Sequence, residues 1–136
     1  MDIADARRLR AVLDAVGLTW RPAPGDRFAI PDRDMDEQVF VLSEMTINVE
    51  QAIGGEVIKF NGTTEWALDS IAAADVLWLP REDQLRELLG VRFARLEALG
   101  EPAGGFAVTL TDGRRFVHVD AERAYLLAVL AALDPR

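Results

Sequence analysis

The side chains best placed by type and spacing to do chemistry are Asp32, Asp34 and Asp36, in the run DRDMDE. Carboxylates at alternate positions open the calcium loop of an EF-hand, which also needs glycine at its sixth position and a bidentate glutamate at its twelfth. Those positions hold Glu37 and Ser43, so the EF-hand reading fails. What is left is a solvated acidic loop, with a weak exposed calcium site as the sharper alternative. Nucleophilic catalysis has as little to build on. The serines are Ser43 and Ser70, neither in a G-x-S-x-G turn, and the single histidine, His118, would have to act as base from a β-hairpin. Glu65 and Asp69 share one face of an expected helix, but the chain has 23 acidic residues and no further feature marks this pair as a general acid–base site.

Other chemistries are removed by what the chain lacks. Neither G-x-x-x-x-G-K-S/T nor G-x-G-x-x-G occurs, and the glycines at 54 and 55 precede a strand where a phosphate loop would precede a helix. Cysteine is absent, which removes disulfides, thiolate nucleophiles, thiolate zinc sites and Cys-ligated iron–sulfur clusters. No catalytic residue, cofactor or metal is expected.

The aromatic residues point instead to binding. Trp20, Trp66 and Trp78 each stand near a turn or helix start, where an indole can anchor an interface or line a pocket. It can equally close the edge of a core with its N–H on a carbonyl. Trp78 has the second explanation: Pro80 lacks the amide hydrogen that a first helical turn leaves unpaired, holds Leu79 extended, and starts a helix. Local structure accounts less fully for Trp66. Its neighbours Asn61 and Thr63, with the amides of a helix start, would suit a small anion or a peptide end, with His118 or Tyr125 as further lining.

These residues must be carried by elements, and the periodicities name them. Ile3, Ala6, Leu9, Val12, Leu13 and Val16 make an amphipathic helix over residues 2–16, ended by Gly17. A loop rich in proline and glycine follows, with room for one short strand over 27–30. From Gln38 the period falls to two, giving two strands or one bent strand before the turn at 53–55, and then the strand EVIKF. Asn61-Gly62 is a turn signal, and Thr63 or Thr64 caps a helix running to about Ala73. After Pro80 comes a helix with Leu85, Leu88 and Leu89 buried and Gly90 as its stop. FARLEAL is a strand, GEPAGG a turn, and FAVTLTDGRRFVHVD a hairpin about Asp112-Gly113. A two-residue loop there sets Leu110 opposite Arg115 and Val108 opposite Val117, with His118 on the less buried face. Asp120 caps a helix over 121–133 that is apolar almost all round and should be packed on two sides.

Clustered strands with helices at the ends and middle predict an α+β fold: a single domain, with a largely antiparallel sheet of about six strands packed against N-terminal, central and C-terminal helices. The length, 136 residues, suits one core. A net charge of −8 with scattered basic residues disfavours nucleic acid. The apolar run 124–133 is too short to span a membrane, and the first sixteen residues do not read as a signal peptide, so a cytoplasmic location is expected.

The runs GDRFAIPDRDMDEQVFVLSEMT, FNGTTEWALDS and LWLPREDQLRELLG resemble those of a group of short actinobacterial proteins of unknown function, many of which carry the label pilus assembly protein. The likeness extends over most of residues 7–130. It implies a bacterial, intracellular protein, and the group has no assigned site residues to carry over.

The reading that follows is a small binding or adaptor protein without catalysis, acting on an unidentified protein partner. Self-association would run through Leu126 and Leu130 of the apolar C-terminal helix. The alternative is a small-molecule-binding or weakly catalytic protein with its pocket at Trp66.

Overall fold

The apolar spacing near the start forms α1, Ile3–Ala15, which buries Ala6, Leu9 and Leu13. Asp2 begins it by accepting a hydrogen bond from the Asp5 N–H at 2.8 Å, and Gly17, at φ 78°, takes the left-handed conformation that ends it. The computed structural model describes residues 1–31, 39–41, 48–52, 55–59, 70–72 and 76–135, with 48–52, 55–59 and 70–72 described as backbone. The fold is α+β, and among the described residues every strand pairing is antiparallel. The described strands lie in three sheets of three. The chain clusters into two compact units, one comprising Met1, Arg8–Leu18 and Pro80–Arg136, the other Asp2–Arg7 and Thr19–Leu79.

The second of these units holds two sheets. In one, β1 (Arg27–Ala29) lies between β2 (Phe40–Val41) and β6 (Leu77–Trp78). In the other, β3 (Asn48–Ala52) and β4 (Gly55–Lys59) form the expected hairpin, and β5 (Ser70–Ala72) pairs with β4. Residues 70–72, near the end of the helix expected from Thr63 or Thr64 to about Ala73, form a strand instead. Alanine-rich sequence has no strong strand preference of its own, and the open edge of β4 recruits it. The rest of that expected helix, like the acidic run 32–37, lies outside the described residues.

In the other unit, α2 (Glu82–Leu89) begins two residues after Pro80. Arg81 is its cap, and the Gln84 side-chain oxygen accepts from the Arg81 N–H at 2.9 Å. Leu85 and Leu89 are fully buried and Gly90 ends the helix at φ 56°. A 3-10 turn over Gly90–Arg92 leads into the sheet β7 (Phe93–Ala98), β8 (Phe106–Leu110) and β9 (Arg115–His118), followed by α3 (Ala121–Leu133). Asp120 caps α3, its carboxylate accepting from the Glu122 N–H at 3.1 Å. The helix packs against α2 on one side and against β8 and β9 on the other, as its all-round apolar sequence predicts.

The β8–β9 register differs by one residue from the expected one. Phe106 pairs with His118, Val108 with Phe116 and Thr109 with Arg115. The Leu110 N–H donates to the Arg114 carbonyl at 2.8 Å, so the loop is three residues, Thr111 to Gly113, with Gly113 at φ 92°. Two contacts select it. The Thr111 N–H is used by the Arg92 carbonyl at 2.8 Å, and the Asp112 carboxylate accepts from the Arg114 N–H and Nε at 3.0 and 2.8 Å. The Arg114 backbone N–H, with its guanidinium, holds the Asp112 carboxyl below its ordinary pKa. A one-residue slip exchanges faces. His118 therefore shares a face with Val108 and Phe116 and is half-buried, while Val117 is exposed.

Candidate functional site

Two of the three tryptophans meet. Trp20 stacks on Trp78 with ring centroids 6.2 Å apart and planes 5° from parallel, the offset arrangement that aromatic quadrupoles favour. Trp78 is a residue of β6, so its position is set by strand pairing and not by the start of α2. The register places Phe28 of β1 between Phe40 and Trp78, so one face of this small sheet presents an aromatic row. Phe28 and Phe40 are 5.3 Å apart, and Trp20 lies 6.4 Å from Phe28. Phe28 is buried; Trp20, Phe40 and Trp78 are half-buried.

The segment PAPGD fixes Trp20 from outside the sheet. Ala23 to Asp26 is a turn with Pro24 and Gly25 at its centre, Gly25 at φ 89° and the Asp26 N–H donating to the Ala23 carbonyl at 3.1 Å. Proline then glycine is the residue order such a turn requires. The turn brings the Asp26 carboxylate, only 3% exposed, within 2.9 Å of the Trp20 Nε1 and 3.0 Å of the Ala23 N–H, both of which donate to it. Both bonds fall on Oδ2, and a buried carboxylate is tolerable when it is hydrogen-bonded in this way. The Trp78 Nε1 is different: it is buried and has no hydrogen-bond partner among the described residues. The clues available in the sequence were the Pro24-Gly25 pair and the short apolar run before Pro80, whose extended geometry suits a strand.

The other candidates are dispersed. Trp66, Asn61 and Thr63 lie outside the described residues, as do Ser43, Glu65 and Asp69. Leu126 and Leu130, the expected self-association residues, are 2% and 5% exposed and belong to the core around α3. Tyr125 is buried with its ring 5.8 Å from that of Phe93. His118 accepts a hydrogen bond at Nδ1 from the Asp120 N–H at 3.1 Å, which puts the proton of the neutral ring on Nε2 and ties the histidine to the β9–α3 junction. Among the described residues no group of three or more His, Asp or Glu side chains is arranged to hold a metal ion, and no helix is long and apolar enough to cross a membrane. No family model matches the chain, and no curated protein or solved structure matches it.

Proposed function

We propose that this chain is a non-catalytic binding protein that acts by associating with another protein, in the bacterial cytoplasm that its sequence resemblance implies. The observation that carries the reading is the aromatic surface of the β2–β1–β6 sheet: the flat Trp20–Trp78 stack and Phe40, all only partly covered. Tryptophan in such a setting offers a large contact area with little side-chain entropy to lose, and for that reason it dominates many protein interfaces.

The test compares the wild-type chain with Trp78→Phe by native mass spectrometry after isolation from the producing bacterium. Trp78→Phe removes an indole N–H that has no partner among the described residues but also part of the ring stacked on Trp20, so the variant should stay folded with a melting temperature lowered by several degrees at most. The wild type should carry a stoichiometric protein partner and Trp78→Phe should retain markedly less of it. A retained small molecule in place of a protein would overturn the reading and favour the pocket at Trp66.

A further inference from the structure

We infer that the outer edge of β7 binds a second copy of this chain, joining two three-stranded sheets into one antiparallel sheet across a two-fold axis at Leu96. The inference deepens the binding reading by naming one partner, and it concerns a surface in the other unit.

β7 is an edge strand: β8 pairs with one side of it, and among the described residues no strand pairs with the other. Ala94, Arg95, Leu96 and Ala98 are exposed, Leu96 at 36%. An unpaired edge offers main-chain donors and acceptors to any strand that fits. Which groups point outward follows from the hydrogen-bond alternation. The Leu99 N–H donates to the Gly105 carbonyl at 2.8 Å, and the same register sets Glu97 opposite Ala107 and Arg95 opposite Thr109. In an antiparallel ladder hydrogen-bonded pairs alternate with non-bonded ones, so the N–H and C=O of Leu96 and Ala98 face away from β8.

The sequence of this edge is complementary to its own reverse. In FARLEAL, residues 93–99, a two-fold axis through Leu96 sets Leu96 against Leu96 of the second copy, Arg95 against Glu97, Ala94 against Ala98 and Phe93 against Leu99. The outward backbone groups of the two Leu96 residues then exchange reciprocal hydrogen bonds. Arg95 and the opposing Glu97 fall at the non-bonded positions, where facing side chains approach most closely. Sliding either strand by two residues sets Arg95 against Arg95 or Glu97 against Glu97, so charge selects one register. The alanines at 94 and 98 leave the two backbones room to approach, and the irregularity between Phe93 and Arg95 limits the paired length. Within one chain the Glu97 carboxylate already forms ion pairs with the guanidinium groups of Arg95 and Arg115, each at 3.6 Å. The second copy extends this row of alternating charge across the axis.

The test measures the mass of the full chain by analytical ultracentrifugation over a range of concentrations. It uses the wild type, Arg95→Glu, Glu97→Arg, and an equimolar mixture of the two variants. Circular dichroism confirms that each variant is folded. The wild type should dimerise. Each variant alone meets two like-charge pairs across the axis and should dimerise roughly tenfold more weakly. The mixture restores both opposite-charge pairs and should form the heterodimer with near wild-type affinity. A wild type that stays monomeric throughout, or variants and a mixture that dimerise alike, would overturn the inference. Trp78→Phe should leave the dimer intact, so loss of the partner at the aromatic sheet and loss of this dimer are read separately.

Discussion

At Gly105 the backbone has φ 85°, and a Cβ added there would stand 2.7 Å from the His118 carbonyl oxygen and 3.0 Å from the Val119 Cα. Both constraints act on one residue. The left-handed conformation costs an L-residue about 1 kcal/mol, and the obstructing atoms are backbone atoms that can move only if β9 moves. Gly105→Ala should therefore destabilise the chain by about 2 kcal/mol or more, and lower the thermal midpoint by roughly 5–10 °C. Gly100→Ala is the control, because nothing lies within 4 Å of a Cβ there and its φ is not in the left-handed range. A calorimetric scan of both variants decides the matter: equal midpoints would mean that β9 yields without cost. Thr109 is constrained in another way. Its hydroxyl is buried without a hydrogen-bond partner among the described residues, on the face that carries Arg95, Glu97 and Arg115, so that charged row covers a position where an apolar side chain would serve the fold as well.

Among the elements, α3 shows how a local signal and a packing surface reinforce each other. Asp120 accepts from the Glu122 N–H, and its own N–H is accepted by His118, so one residue closes β9 and opens the helix. Asp120→Ala removes the cap and should cost about 1 kcal/mol, seen in urea unfolding as a lower midpoint with an unchanged slope. This boundary was legible because a cap is written in adjacent residues, as were α1, α2, β7 and the β3–β4 hairpin. The features that escaped the sequence depend on atoms far along the chain. The hairpin register turns on the Thr111 N–H finding Arg92, which no pattern within TDGRR discloses. The strand at 70–72 exists because β4 has an edge to offer it. The stacking of Trp20 on Trp78 joins residues 58 positions apart, and although the turn holding Trp20 could be read from Pro24-Gly25, the ring it meets could not. Local chemistry thus placed the element ends, and tertiary contact chose the faces and partners.

For the molecule as a whole, the decisive fact is what α3 has already covered. A helix this apolar, taken alone, invites an intermolecular role for Leu126 and Leu130. In the structure both are buried within their own chain, where α3 packs against α2, β8 and β9. Its apolar surface is spent on folding, so the association proposed above would use other surfaces: the aromatic row on β1, β2 and β6, or the open edge of β7. The two uses of α3 make opposite predictions for one substitution. If Leu126 were an interface residue, Leu126→Glu would give a folded monomer. As a core residue, it would leave an unpaired carboxylate among Leu and Val side chains, at a cost of several kcal/mol. Against a total stability on the order of 5–15 kcal/mol, that is enough to unfold much of the population. Leu126→Glu should therefore lose the near-ultraviolet circular dichroism of packed aromatics together with its cooperative melt. A variant that melts cooperatively as a monomer would return α3 to the surface and reopen the helix as an interface. Arg95→Glu supplies the contrast: it changes an exposed strand residue, should melt within a few degrees of wild type, and should act on the dimer alone.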